Sequence, residues 1–146
     1  MVSHFIADAQ FWPVGLFVAK GPQSLDMHQQ MLSAWDEWLA QRVPFIALRV
    51  YCDPASLKVA EGVGKLTKTW LQGGAAEAIR RHVSAMLIVV PPSDHGRMKA
   101  MSVEAAFGVP GGVFADLADA LTWIGPEVIS PKVARGLARL IDSHRE

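Results

Sequence analysis

Cysteine is almost absent from this 146-residue chain, because Cys52 is the only one. No disulfide can therefore form within the chain. Cys52 lies in an apolar run, which is typical of a buried small side chain in a reducing compartment. The chain also lacks an apolar run long enough to span a bilayer, and its first residues lack the basic region of a signal peptide. These features predict a cytoplasmic protein.

The chain has no excess of charge of either sign, because 14 lysines and arginines balance 14 aspartates and glutamates. A balanced chain has no net field to attract phosphates, so nucleic acid is not an expected partner. Apolar residues are abundant, at 51%. This composition is that of a globular protein, and it leaves room for an apolar groove or for the interface of a homodimer.

Motifs that carry catalysis or bind metals are missing as well. The chain has no Gly-x-Ser-x-Gly elbow, and its five histidines are scattered without the spacing of metal ligands. The segment Gly62-Val63-Gly64-Lys65 resembles a phosphate loop, but Val59 and Leu66 stand where that loop needs glycine and Ser or Thr. We therefore predict no catalytic residue, no metal site and no cofactor.

Hydrophobic patterning indicates alternating strands and helices. Apolar and β-branched runs predict strands at 5–9, 11–19, 45–51, 84–90 and 111–115. Helical periodicity and capping residues predict helices after Ser24 and Ser56 and over 75–82, 97–107, 117–124 and about 130–144. This order predicts one α/β domain over residues 1–146 with a four- to five-stranded, parallel or mixed sheet.

Several features admit both a structural and a functional interpretation. Trp70 and Trp123 fall on predicted helical faces, where core packing is favoured and a pocket for an apolar ligand is the alternative. Asp53, Asp94 and His95 follow predicted strands, at the end where α/β proteins often bind ligands. A doubly wound nucleotide-binding protein of the universal-stress type, or a small enzyme, would have its site there.

The last predicted helix carries basic residues opposite its apolar stripe, namely Lys132, Arg135, Arg139 and Arg145. A basic amphipathic helix can lie on an anionic membrane, so peripheral membrane contact is one interpretation. A helix docked on the domain with a solvated basic face is the favoured one.

The order of elements also resembles SpoIIAA-like proteins, a branch of the STAS superfamily of anti-sigma-factor antagonists. The resemblance covers about residues 5–125, and its most specific part is residues 113–116 (Val-Phe-Ala-Asp) followed by 120–124 (Ala-Leu-Thr-Trp-Ile). It implies a mixed sheet with helices packed mainly on one face, no enzymatic activity, and binding of a protein partner or apolar ligand. The helix at 130–144 would extend the family core.

In the classical antagonists, a phosphorylatable Asp-Ser-Ser/Thr-Gly follows the second core strand. This chain has Asp53-Pro54-Ala55-Ser56 there, so Ser56 is the matching hydroxyl and the glycine is missing. The sequence thus predicts a non-enzymatic module that binds a protein partner or a small apolar ligand. Its candidate binding residues are Asp53, Ser56, Trp70, Asp94, His95 and Trp123.

Overall fold

The computed structural model of the protein describes residues 3–145 and contains one five-stranded sheet. The strands are β1 (His4–Asp8), β2 (Val14–Lys20), β3 (Phe45–Tyr51), β4 (Val83–Val89) and β5 (Gly111–Phe114), which lie side by side in chain order. β1 runs antiparallel to β2, and the other neighbours are parallel. The predicted α/β fold with a mixed sheet is confirmed.

Helices cover both faces of the sheet. They are α1 (Leu25–Ala40), α2 (Val63–Trp70), α3 (Ala76–His82), α4 (Pro92–Met98), α5 (Val103–Phe107), α6 (Leu117–Ile124) and α7 (Pro131–Arg145). Apolar side chains of α1–α5 join a core cluster on one face, whereas those of α6 and α7 join a second cluster on the other. Most helices therefore share one face, and the C-terminal helix α7 helps to close the opposite one.

Buried β-branched and aromatic residues explain the central strands. In β4 every residue except Ser84 is buried, and β3 is buried at all positions except Arg49 and Tyr51. Near-continuous apolar runs are what a parallel strand needs when helices cover both of its faces. The sequence bounds of β3 were predicted to the residue.

Side-chain caps fix three helix starts as expected. The hydroxyl of Ser24 accepts a hydrogen bond from the Met27 amide at 3.1 Å, and a carboxylate oxygen of Asp116 accepts one from the Asp119 amide at 2.8 Å. The Ser130 hydroxyl accepts one from the amide of Val133 at 3.2 Å. Each bond satisfies an amide that has no partner inside its helix.

The prediction that Ser56 caps the second helix is wrong. Asp53 is the capping residue, and it begins a short 3-10 turn over Pro54–Leu57 in which Ser56 itself lies. The Ser56 amide donates to the Asp53 carboxylate at 2.9 Å, while its hydroxyl donates to the Asp53 carbonyl at 2.6 Å. The chain leaves this turn in an extended conformation at Lys58, and α2 starts at Val63, after Gly62.

Two other boundaries also differ from the sequence prediction. β2 begins at Val14 rather than at residue 11, because the amides of Trp12 and Val14 are used in turn hydrogen bonds to Ala9 and Phe11. The predicted helix over 97–107 is two helices, since Ser102 caps a new one: its hydroxyl accepts from an amide at 3.0 Å.

No helix within residues 3–145 combines the length and the apolarity that a bilayer crossing requires. α7 buries Leu137 and Ile141 against the sheet, while Lys132, Arg135 and Arg139 are exposed. Its apolar stripe is therefore used within the fold, and its basic side chains face solvent.

Candidate functional site

A cavity of about 310 Å³ lies on the α1 face of the sheet, near the carboxyl ends of the parallel strands. Strand residues Phe17, Arg49 and Ile88 form its floor, and they are neighbours in the sheet register. Its walls come from α1, the segment 56–63 and the α4–α5 region. The apolar wall residues are Met27, Met31, Leu57, Val59, Ala60, Val63, Met98, Met101 and Phe107.

Arg49 is the exceptional residue of this floor, because strand alternation directs it to the same face as Phe45 and Ala47, which are both buried core residues. Its guanidinium carbon lies 5.8 Å from the centroid of the Trp35 ring and 5.7 Å from that of Phe107. Each such cation–π contact contributes about 0.5–2 kcal/mol. Two aromatic rings thus hold the charged group in place.

The Arg49 side chain has no protein counter-ion within residues 3–145. Its Nε atom is buried and lacks a hydrogen-bond acceptor there, as does Nε1 of Trp35 on the neighbouring helix. The two ion pairs in this part of the chain, Arg81 with Glu77 and Arg97 with Asp94, do not involve it. A buried polar group without a partner destabilises a fold, so Arg49 is a costly residue at this position.

Charge on the cavity wall is of one sign. Within the described residues, the charged side chains that line the cavity are Arg49 and Lys58, and no aspartate or glutamate joins them. Lys58 is exposed, whereas Arg49 is partly buried. The site is therefore an apolar hollow with a cationic floor.

His28 on α1 also lines the cavity. Its Nε2 lies 2.6 Å from the Thr67 hydroxyl, which itself donates to the Val63 carbonyl at 2.8 Å. Because that hydroxyl has a single hydrogen, Nε2 is the donor to Thr67. Burial, and after it the nearby charge of Arg49, lowers the pKa of His28 below its ordinary value of 6.5. His28 is thus a neutral group at neutral pH and adds no third positive charge.

Among the six candidate binding residues, Ser56 is the one that lines this cavity. It is 3% exposed, and its hydroxyl is engaged by the Asp53 carbonyl. Asp53 lies beside it, and its carboxylate accepts hydrogen bonds from the amides of Ser56 and Gly21. The Asp53–Ser56 pair therefore joins the ends of β2 and β3, and phosphorylation of Ser56 would require this turn to open.

The structure does not bring the other four residues to the cavity lining. Trp70 packs near Trp35, and its indole nitrogen donates to the Asp36 carboxylate at 2.7 Å. Trp123 is 47% exposed on the opposite side of the sheet, where it contacts Phe114. Trp70 packs against the core on the α1 face, in line with the structural interpretation, whereas Trp123 is largely exposed and does not belong to the core.

Asp94 and His95 lie on α4 rather than in a turn. The Asp94 carboxylate pairs with Arg97 at 3.0 Å, and Nε2 of His95 lies 3.2 Å from the Val113 carbonyl of β5. The His95 contact joins α4 to β5 at the edge of the sheet, whereas the Asp94–Arg97 pair lies within α4. A nucleotide or catalytic site at residues 52–53 and 93–95 would have to compete with them.

Sequence reasoning missed Arg49 and His28 as candidate residues. A signal was present for Arg49, because it interrupts the apolar strand 45–51 at a position that alternation assigns to the same face as Phe45 and Ala47. His28 follows Met27 near the start of α1, and its spacing alone does not separate it from a solvent-facing residue.

Comparisons of this chain with known protein families, curated proteins and solved structures give no match. What defines the protein is therefore its fold, an α/β domain with a mixed sheet, and its site, an apolar cavity with an arginine in the floor.

Proposed function

We propose that this protein is a binding module that holds a small apolar molecule in the cavity beneath α1, and that binding rather than catalysis is its role. The observation that carries the proposal is the cavity itself. The cavity is partly open to solvent, offers a space of about 310 Å³ and is lined mainly by apolar side chains. Small-molecule sites begin at roughly 300 Å³ and are mostly apolar, with a few polar groups that orient the ligand.

The resemblance to SpoIIAA-like proteins leads to a second proposal, in which the same face binds a protein partner. Two apolar side chains at the cavity rim favour it: Val59 is 71% exposed and Met101 is 39% exposed. A partner that covered this rim would bury both. Membership of that family and formation of a homodimer through this face are part of the second proposal. Peripheral membrane contact would instead use the exposed basic side chains of α7 on the opposite face of the sheet.

The test is a titration of the protein with the neutral, apolar fluorescent dye N-phenylnaphthylamine. Three proteins are compared: the wild type, Ala60→Trp and Ala118→Trp. Ala60 lines the cavity, so an indole there fills it, whereas Ala118 is exposed on α6 on the other side of the sheet. The two variants add the same side chain, which makes the second a matched control.

We expect saturable binding of one dye per chain to the wild type and to Ala118→Trp, and its loss in Ala60→Trp. No binding to the wild type, or equal binding to Ala60→Trp, would contradict the proposal. A parallel thermal-shift assay with ATP tests the alternative that the protein binds nucleotides. A ligand at 100 times its dissociation constant stabilises its protein by about 2.7 kcal/mol, so binding of ATP would raise the melting temperature.

A further inference from the structure

The cavity combines an apolar wall with a cation in the floor, and this combination restricts what it can hold. Arg49 lies at the centre of the sheet, on the strand flanked by β2 and β4. The guanidinium of an arginine is charged in proteins, so Arg49 places a fixed positive charge in this floor. The charge therefore has to be offset by an anion, by water or by the surrounding rings.

The protein itself supplies little to offset that charge. The cavity is lined by no carboxylate within the described residues, and the Arg49 Nε has no acceptor there. The rings of Trp35 and Phe107 hold the cation in position without neutralising it. A pre-positioned guanidinium of this kind suits the recognition of a carboxylate, because its planar group offers parallel N–H groups to two oxygens.

We infer that the cavity is selective for a small apolar monocarboxylate, whose head group binds Arg49 and whose hydrocarbon part lies against the methionines and valines of the wall. This inference rests on the proposed function. It adds the chemical class of the ligand, which apolarity alone does not define.

The charge of the site favours a monoanion. A phosphate head group carries a charge near −2 and three strong acceptor oxygens, so it needs more donors than one guanidinium. The second cation, Lys58, is exposed rather than beside Arg49 in the floor.

The position of His28 is compatible with a carboxylate at Arg49. His28 lines the cavity as a neutral side chain, and its Nε2 already donates a hydrogen bond to Thr67. It therefore leaves Arg49 as the charged anchor of the floor. A carboxylate bound to Arg49 would offset one of the two causes that lower the pKa of His28. The His28 resonance in an NMR titration is consequently a second readout that dye displacement does not share.

The experiment displaces N-phenylnaphthylamine with three ligands of similar chain length: octanoate, nonanol and octyl phosphate. Octanoate and nonanol have equal numbers of heavy atoms and differ in charge. The proteins are the wild type, Arg49→Met, Arg49→Lys and Arg139→Met. Arg139 is an exposed residue of α7, so its variant removes a positive charge far from the cavity. Denaturant unfolding of each variant confirms that it is folded.

We expect the wild type and Arg139→Met to bind octanoate at least about tenfold more tightly than nonanol. Arg49→Met should lose this preference and still bind nonanol, while Arg49→Lys keeps part of it. Octanoate, unlike nonanol, should also raise the pKa of His28.

Equal binding of octanoate and nonanol by the wild type would overturn this inference and leave the proposed function standing. Tighter binding of octyl phosphate than of octanoate would overturn the carboxylate assignment. An unchanged preference in folded Arg49→Met would show that another group selects the charge. If the dye and all three ligands fail to bind, the proposed function falls together with the inference.

Discussion

The two faces of β3 differ in how completely they are closed. On the face toward α6 and α7, Leu48 is fully buried among aliphatic side chains that include Leu137 and Ile141. On the face toward α1, the next residue is Arg49, which lines a cavity and contacts aromatic rings. One strand thus joins an aliphatic core on one face, while on the other it passes from two buried core residues, Phe45 and Ala47, to the cavity floor at Arg49.

Both faces of the sheet contain a buried apolar core, and they differ in the polar groups that they bury. The aliphatic face has few polar groups to satisfy, so its burial contributes directly to stability at about 25 cal/mol per Å² of apolar area. The other face carries both of the buried nitrogen atoms that lack an acceptor in residues 3–145, Nε1 of Trp35 and Nε of Arg49. Local rules of good packing are commonly broken at functional sites, which is consistent with a role for this face in binding.

The largest expected change in stability comes from a truncation in the aliphatic core on the face toward α6 and α7. We expect Leu48→Ala to lower the free energy of unfolding by about 2–5 kcal/mol, because it leaves a hole in a fully buried site. Val59→Ala is the control on the cavity rim, where the side chain is 71% exposed, and it should change stability by less than about 0.5 kcal/mol. Denaturant unfolding measures both, and similar values for the two variants would show that the contrast between the faces is wrong.

A smaller difference in stability is expected between substitutions of two glycines, each of which faces an aromatic ring. An added Cβ at Gly15 would lie 2.5 Å from Cζ3 of Trp38 on the cavity face, and one at Gly136 would lie 2.4 Å from Cζ of Phe11 on the other. Trp38 is buried among other rings and cannot move aside, so Gly15→Ala should destabilise the protein by about 1–3 kcal/mol.

Gly136→Ala should be close to neutral. Phe11 is half-buried and can turn away, and alanine within a helix is about 1 kcal/mol more favourable than glycine. Thermal unfolding of the two variants tests this difference. A larger loss of stability in Gly136→Ala than in Gly15→Ala would mean that the side chains on the α7 face are the less able to move aside.

The smallest expected effect is a pH dependence of stability that comes from His28 on the cavity face. Burial, and then the charge of Arg49, lowers the pKa of His28 in the folded protein. Between that pKa and 6.5 the unfolded chain binds the proton and the folded one does not, so stability falls as the pH falls through this window. We expect His28→Gln to remove this part of the slope in unfolding measurements made at several pH values. An identical slope in wild type and variant would show that other groups cause it.

Much of the fold was predictable because its signals are local. The run 45–51 is apolar and rich in residues that favour strands, and it becomes β3 at the same bounds. Ser24, Asp116 and Ser130 each bind an amide three residues ahead, so their positions alone indicated helix starts. Asp53 misled the prediction because a capping aspartate and a serine three residues later fit either a turn or a helix.

The cavity could not be predicted, because its walls come from segments that are distant in the chain. Phe17, Arg49 and Ile88 become neighbours only through the order and register of the parallel strands. The tryptophans suggested a pocket because they are large and apolar, but Trp70 and Trp123 lie outside its lining.

α2 has a consequence for the kinetics of binding. None of its residues 63–70 is buried, and Gly62 at its start has a φ of +91°. A second glycine with positive φ, Gly74 at +122°, lies in the π-helical segment Leu71–Ala75 that follows. Val63 of α2 lines the cavity, while Thr67 and Trp70 tie the helix to α1 through one hydrogen bond each. Helices with so few buried contacts open at a lower free energy than a central sheet does. We therefore expect the residence time of a bound molecule to follow the opening rate of α2, which amide hydrogen exchange in residues 63–70 would report.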